Sequence, residues 1–320
     1  MIDNIIKQSF SDYIKVAESD TVNRLPDSLE NLPNLIIYGP SGTGKYTNSL
    51  NIIKKYSKSE LKYAKKILIS NSKSDIYIKI SDIHFEIDME LLGCNSRILW
   101  NDIYYNIIDI ISSNENKGII LCKNFHSVNN ELLEIFYSYM QSDIFSSYTL
   151  KFIILTEGIS FIPSSIISVS KVLPCERYTK TFYKREFGAS NISYIEILNN
   201  LKALKLVDTN SSEFVDVMMP YVKICNSLID IINNSIHSIN FTQLRKILYD
   251  ILIYNLNVYD CIFYILSTLI TSKKIKNIES VNESILENTY IFFKYYNNNY
   301  RPIYHLENYI LYLIKTIHEL

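Results

Sequence analysis

Glycine is scarce in this chain: 320 residues hold seven, and three of those fall within six positions, at Gly39, Gly42 and Gly44. Cysteine is thin and scattered. The five, Cys94, Cys122, Cys175, Cys225 and Cys261, include no C-x-x-C pair, which excludes the common zinc and redox spacings and reads as a reduced, intracellular chain. Neither sign of charge dominates, with a formal net charge of -1, so a strongly basic, stand-alone nucleic-acid binder is excluded while a local basic patch is not. No signal peptide is expected, because Met1–Phe10 already carries Asp3, Asn4, Lys7 and Gln8. A membrane span is missing too. The most apolar late stretch, Ile251–Ile270, is interrupted by Asn255, Asn257 and Asp260 and reads as a pair of buried helices. Alanine is rare and Ile, Asn, Lys and Tyr abundant, a bias of A/T-rich codons that fits a large DNA virus or a protist.

What is present is apolar material for packed cores, 48% of the chain, over a length that fits two or three domains. Short apolar runs at Leu35–Tyr38, Ile76–Ile80, His84–Ile87, Gly118–Cys122 and Lys151–Leu155 read as strands. Between them, Lys45–Tyr56, Arg97–Ser112 and Glu131–Met140 read as helices. The apolar set of the second is Ile98, Trp100, Ile103, Tyr104, Ile107, Ile108 and Ile111. Alternating strands and helices predict an α/β fold with a parallel sheet in three layers. From about Ser211 the pattern is almost wholly helical. Phe241, Leu244, Ile247, Leu248, Ile251 and Leu252 share one face, and Leu306, Tyr309, Ile310, Leu313, Ile314 and Ile317 share another.

The clustered glycines carry the first chemical signal. Gly39-Pro40-Ser41-Gly42-Thr43-Gly44-Lys45-Tyr46-Thr47 lies between a strand and a helix, the context of a phosphate-binding loop. Such a loop turns successive N–H groups inward, which needs backbone angles that glycine tolerates. Lys45 supplies a point charge, and the helix presents its N-terminus to the same anion. One position departs: a small hydroxyl that would hold magnesium is expected after the lysine, and Tyr46 stands there. Thr47 would face elsewhere on a regular helix. A second departure follows. Hydrolysis on such folds needs carboxylates at the end of a later strand. The candidate strand ends Leu121-Cys122-Lys123-Asn124, with no acid before Glu131. Neither Lys123 nor Asn124 makes an ordinary general base at neutral pH.

These residues resemble the small subunits of replication factor C, the eukaryotic-type sliding-clamp loader, and among them the one called subunit 3. Tyr38–Thr47 looks like that subunit's Y-G-P-S-G-x-G-K-K-T, which also lacks the hydroxyl after the lysine. His84-Phe85-Glu86-Ile87, with Gly93 and Arg97, is similar to H-L-E-V…G…D-R-V-V. Phe152–Ser170 resembles the strand, I-P-P and S-R-C segment. Pro302–Glu307 looks like A-I-Y-H-L-E of the final collar helix, and Leu244–Asp250 like the collar helix before it. Against the family pattern, Lys123 and Asn124 replace the acidic pair, and Glu157 stands at the sensor asparagine. Ser168-Val169-Ser170 lacks the arginine finger, and no D-K-Y-R-P segment is recognisable.

The resemblance implies an AAA+ P-loop domain over residues 1–177, a shortened helical lid over 178–214 and an all-α collar over 215–320. It implies ATP or ADP as ligand, and Tyr46 argues against ordinary Mg2+ coordination. The implied partners are related clamp-loader subunits, a sliding clamp and primer–template DNA, at the nucleus or a cytoplasmic viral replication site. No catalytic residue and no resident metal are expected. Arg97 is the candidate DNA-phosphate contact, with a solvated helix-start arginine as the alternative. His84 and His305 read as packing or hydrogen-bonding residues and Trp100 as core. Glu86 either orients a group near the nucleotide or is a solvated acid at a strand end. The rival readings are a free-standing AAA+ ATPase with unconventional catalytic residues, and a P-loop-derived binding module outside replication.

Overall fold

The computed structural model describes residues 9–10, 25–71, 74–113, 116–141, 148–177, 179, 181, 220–233, 240–272, 279–296 and 301–318. The expected lid, 178–214, lies outside the described residues but for 179 and 181. The chain divides into two compact units, the first of residues 1–39 and 44–175 and the second of residues 176–320 with the loop segment Pro40–Thr43.

The first unit is built on one sheet. In chain order its elements are β1 (Asn34–Tyr38), α1 (Lys45–Lys54), β2 (Lys65–Asn71), β3 (Ser74–Ile80), β4 (His84–Asp88), α2 (Ser96–Ser112), β5 (Lys117–Lys123), α3 (Asn130–Met140), β6 (Thr149–Thr156), α4 (Ser164–Ser168) and β7 (Ser170–Pro174). The strand order is β2-β3-β4-β5-β6-β1-β7. From β4 to β7 every neighbouring pair is parallel. The sequence predicts a parallel sheet, and the sheet is mostly parallel; at one edge β2 and β3 add antiparallel pairings. The reason is chain length: Asn71 sits opposite Ser74, too short a connection for a parallel crossover.

The central strands are buried on both faces, and their alternating side chains feed two cores. Ile120, Cys122, Phe152 and Ile154 pack with Trp100, Ile103, Ile107 and Phe136 from α2 and α3. Their neighbours in sequence, Ile119, Leu121, Ile153 and Leu155, pack with Leu50 and Ile53 of α1 on the other side. Each fully buried aliphatic or aromatic side chain of this kind contributes about 1.5–3 kcal/mol. Such packing, more than helix propensity, holds α2 in place. Trp100 is core, as its sequence context implies. Ile98 corrects the expected apolar set: it is 60% exposed, because two residues from Trp100 along a helix is the opposite face.

The second unit is helical: α5 (Pro220–Asn233), α6 (Phe241–Ile253), α7 (Val258–Thr271), α8 (Glu279–Tyr296) and α9 (Pro302–Ile317). Asn240 caps α6 by accepting from the N–H groups of Thr242 and Gln243, and Asn257 caps α7 by accepting from that of Asp260. With Asn255 at φ 47, the turn between these helices breaks the apolar stretch Ile251–Ile270 into two, as its polar interruptions predict. Among the described residues no helix is long and apolar enough to cross a membrane. Leu244, Leu248, Ile251, Leu306, Tyr309, Ile310, Leu313 and Ile314 share this unit's core. Phe241, assigned to that face from sequence, is exposed at the start of α6. Arg245 of α6 grips both carboxylate oxygens of Glu307 on α9, and Tyr309 shares a 2.7 Å hydroxyl contact with Thr289 of α8. The fold is thus a mostly parallel α/β domain with a glycine loop after its first strand, followed by an all-helical region.

At the end of the sheet, the Cys175 N–H donates to the Tyr38 carbonyl at 2.7 Å. A Cβ built on Gly39 would lie 2.2 Å from the Cys175 carbonyl oxygen. Gly39→Ala must therefore displace backbone, at a cost of about 1–3 kcal/mol. The expected outcome is a lower urea midpoint for the protein without nucleotide; an unchanged midpoint would contradict the close approach.

Candidate phosphate-binding site

The loop predicted from the clustered glycines connects β1 to α1. The buried strand Leu35-Ile36-Ile37 delivers the chain to Gly39. Gly42 and Gly44 then take φ of 74° and 87°, and Gly44 is the residue preceding α1. A β-branched or bulky residue at Gly44 would resist that left-handed conformation. Within the loop, the Thr43 hydroxyl donates to the Pro40 carbonyl at 2.9 Å. The first turn of α1 contains no acidic residue, so the positive end of the helix dipole is not neutralised by its own sequence. Lys45 opens the helix, and its ammonium donates to the Gly39 carbonyl at 2.6 Å, across the mouth of the loop. Pro40, Ser41, Tyr46 and Thr47 complete the predicted stretch, with Tyr46 and Thr47 in the first turn of α1.

Tyr46 turns away from the role its position has in the motif. Its hydroxyl donates to Glu86 Oε1 at 2.6 Å. Glu86 comes from β4, where His84, Phe85, Glu86 and Ile87 are all buried. Its side chain is 1% exposed, which rules out the solvated strand-end acid. Lys123, at the end of the neighbouring strand β5, places its ammonium 3.5 Å from Glu86 Oε2 and 5.6 Å from the centre of the Tyr46 ring. His84 Nε2 lies 3.5 Å from Glu86 Oε1, while its other ring nitrogen contacts the Ser81 hydroxyl. His84 is therefore a hydrogen-bonding residue, as expected. Burial alone would raise the pKa of Glu86. The His84 hydrogen bond, the Lys123 charge and the Tyr46 hydrogen bond outweigh it and hold the carboxyl below its ordinary value.

The other strand-end groups are also engaged. Asn124, at φ 52, donates from its amide to Asp88 Oδ1 at 2.9 Å, and the same carboxylate oxygen accepts from the Glu90 N–H. His126 follows. Burial lowers its pKa and Lys45 adds to this, while Glu157, Glu90 and Asp88 pull the other way. Its Nδ1 is buried without a hydrogen-bond partner among the described residues. Val169 lies between α4 and β7, partly exposed, with no charge to offer a neighbour. Arg97 is exposed at the second position of α2.

The residues present do not fit a magnesium ion. Mg2+ takes oxygen donors in near-ideal octahedral geometry. Here the hydroxyl at position 46 is a phenol committed to Glu86, and position 123 carries an ammonium. Among the described residues no group of three or more His, Cys, Asp and Glu side chains is arranged to hold a metal.

Sequence reasoning missed His126, and it left the environment of Glu86 open. Four consecutive buried residues in β4 carry no alternation to say which side Glu86 faces. Its partners stand 40 and 37 positions away along the chain.

No protein-family model matches the chain, and no curated protein does. Among solved structures it is similar to the RuvB Holliday junction branch migration motor of Thermotoga maritima, at 15% identity over 71% of this chain and 80% of that one, with a TM-score of 0.40. It is also similar to a DNA polymerase III gamma subunit-related protein of Thermotoga maritima, at 10% identity over 93% of this chain and all of that one (100%), with a TM-score of 0.37. The fold assignment rests on the sheet order and the glycine loop.

Glu86 binds its proton less readily in the folded chain than in the unfolded one. Stability therefore rises with pH between the depressed folded value and the ordinary 4.5. The contribution is complete above that ordinary value and is lost as the pH falls through the folded one. Glu86→Gln should flatten this acid limb in urea melts taken from pH 6 downward, and an unaltered limb would contradict the assignment. Tyr46→Phe removes a hydrogen bond to a buried carboxylate and should cost about 1.5–3 kcal/mol at neutral pH.

Proposed function

We propose that this chain is a nucleotide-holding, non-hydrolysing subunit of a heteropentameric sliding-clamp loader, of the replication factor C subunit 3 kind, encoded by an A/T-rich genome such as that of a large DNA virus. One observation carries the reading: the Lys123–Glu86–Tyr46 cluster stands beside the glycine loop, where a hydrolase needs a hydroxyl and a strand-end carboxylate. The loop and the un-neutralised start of α1 suit the phosphates of ATP or ADP. Lys123, Tyr46 and Asn124 suit neither a metal nor a water-activating base. In this reading nucleotide is an assembly ligand, hydrolysis belongs to partner subunits, and this chain acts as scaffold and clamp contact.

Three domains are proposed, 1–177 for nucleotide, 178–214 as lid and 215–320 as collar. The resemblance of Pro302–Glu307 to the final collar helix supports the last. So do exposed apolar side chains on the helical unit, among them Phe241, Ile253, Tyr254 and Tyr304, which a monomer leaves in water. Arg97, exposed at the start of α2, is the proposed DNA-phosphate contact.

A free-standing ATPase is the second reading. It is favoured by His126, whose electrostatic surroundings include Lys45, Glu157, Glu90 and Asp88. The purified chain, assayed alone with ATP and primed DNA, separates the two. The expected result is nucleotide binding without turnover, with binding weakened about tenfold or more in Lys45→Ala through loss of a charge-assisted contact. Robust turnover that vanishes in Lys45→Ala would sink the scaffold reading. Affinity purification should recover related subunits and a sliding clamp; their absence would favour a binding module outside replication.

A further inference from the structure

We infer that the phosphate site takes its nucleotide as a metal-free polyanion, with the Lys123 ammonium in the place a divalent cation would fill. The inference rests on the phosphate-binding role proposed for the loop and adds the form in which the ligand is bound.

Tyr46 follows the loop lysine directly, and Lys123 stands over its ring at 5.6 Å, so the second ammonium lies beside the first turn of α1. Its anchor is Glu86, buried to 1% exposure and engaged at both carboxylate oxygens, by Tyr46 and His84 on one and by Lys123 on the other. The Lys123 side chain itself is 31% exposed, so a buried anion fixes a cation that still reaches solvent. A magnesium ion entering here would meet that ammonium's like charge and would have to strip Glu86 of its partners to gain a ligand. Asp88 is also held, with Asn124 and the Glu90 N–H both bonding its Oδ1. A diphosphate, by contrast, gains two ammoniums and a helix N-terminus without any metal.

The test is a calorimetric titration of the full chain with ADP, once in EDTA and once in millimolar Mg2+. The expected result is affinities within about twofold of each other, a difference well under the 1.4 kcal/mol of a tenfold change. Binding about tenfold tighter with magnesium overturns the inference while leaving the phosphate site standing. Binding in neither buffer takes down the phosphate-site reading itself, and this inference with it. In EDTA, Lys123→Ala should weaken ADP about tenfold, while Lys123→Arg, which keeps the charge, should stay close to the parent. An unchanged Lys123→Ala affinity would overturn the role given to that ammonium. A variant that fails to fold leaves the parent chain's comparison of EDTA with Mg2+ to decide.

Discussion

The carboxylate of Glu86 is the constraint around which the first unit's departures are arranged. A carboxylate removed from water is costly unless it is paired and hydrogen-bonded. Here the compensation comes from β4 itself through His84, from the end of β5 through Lys123, and from the start of α1 through Tyr46. Taken singly, a tyrosine in a phosphate-loop motif and a lysine at a strand end each look like erosion. Around Glu86 they are mutually dependent, since the loss of either leaves a buried anion short of a partner. The loop's geometry, the register of β4 against β5 and the orientation of α1 all meet at this one oxygen pair.

Much of this architecture was legible in the residues. The glycine loop stood out because glycine is rare elsewhere. The central strands stood out because burial on both faces makes them continuous apolar runs. β2 and β7 were not legible: Lys65-Lys66-Ile67-Leu68-Ile69-Ser70-Asn71 holds only three apolar residues in a row, and Ser170-Lys171-Val172-Leu173-Pro174 only two. Ile98 was misplaced because its apolar character was weighed over its position, two residues from Trp100 on the helix. Period alone could not reveal the Glu86 cluster, because ion pairs between distant positions leave no periodic trace. Lys123 was read as a missing acid; that it is also a provided cation emerges only with Glu86 beside it.

In the helical unit, the motif Tyr304-His305-Leu306-Glu307 separates into different physical roles. Leu306 is fully buried, Glu307 is tied to Arg245, and His305 stacks on Tyr295 with rings 6.3 Å apart and 14° from parallel, as a packing residue. Only Tyr304, 55% exposed, presents most of its side chain to solvent. Most of what makes the motif recognisable thus holds helices of this chain to one another. What it leaves facing outward is a single ring.

Cys175 has a mechanical consequence. Its N–H holds Tyr38, its carbonyl oxygen fills the space beside Gly39, and its sulfur accepts from the Asn48 amide of α1 at 3.3 Å. The residue at which the chain leaves the sheet is thereby riveted to both ends of the glycine loop. A displacement of Cys175 would therefore reach the base of the glycine loop directly, so the loop is pinned to the last strand of the sheet as well as to its first.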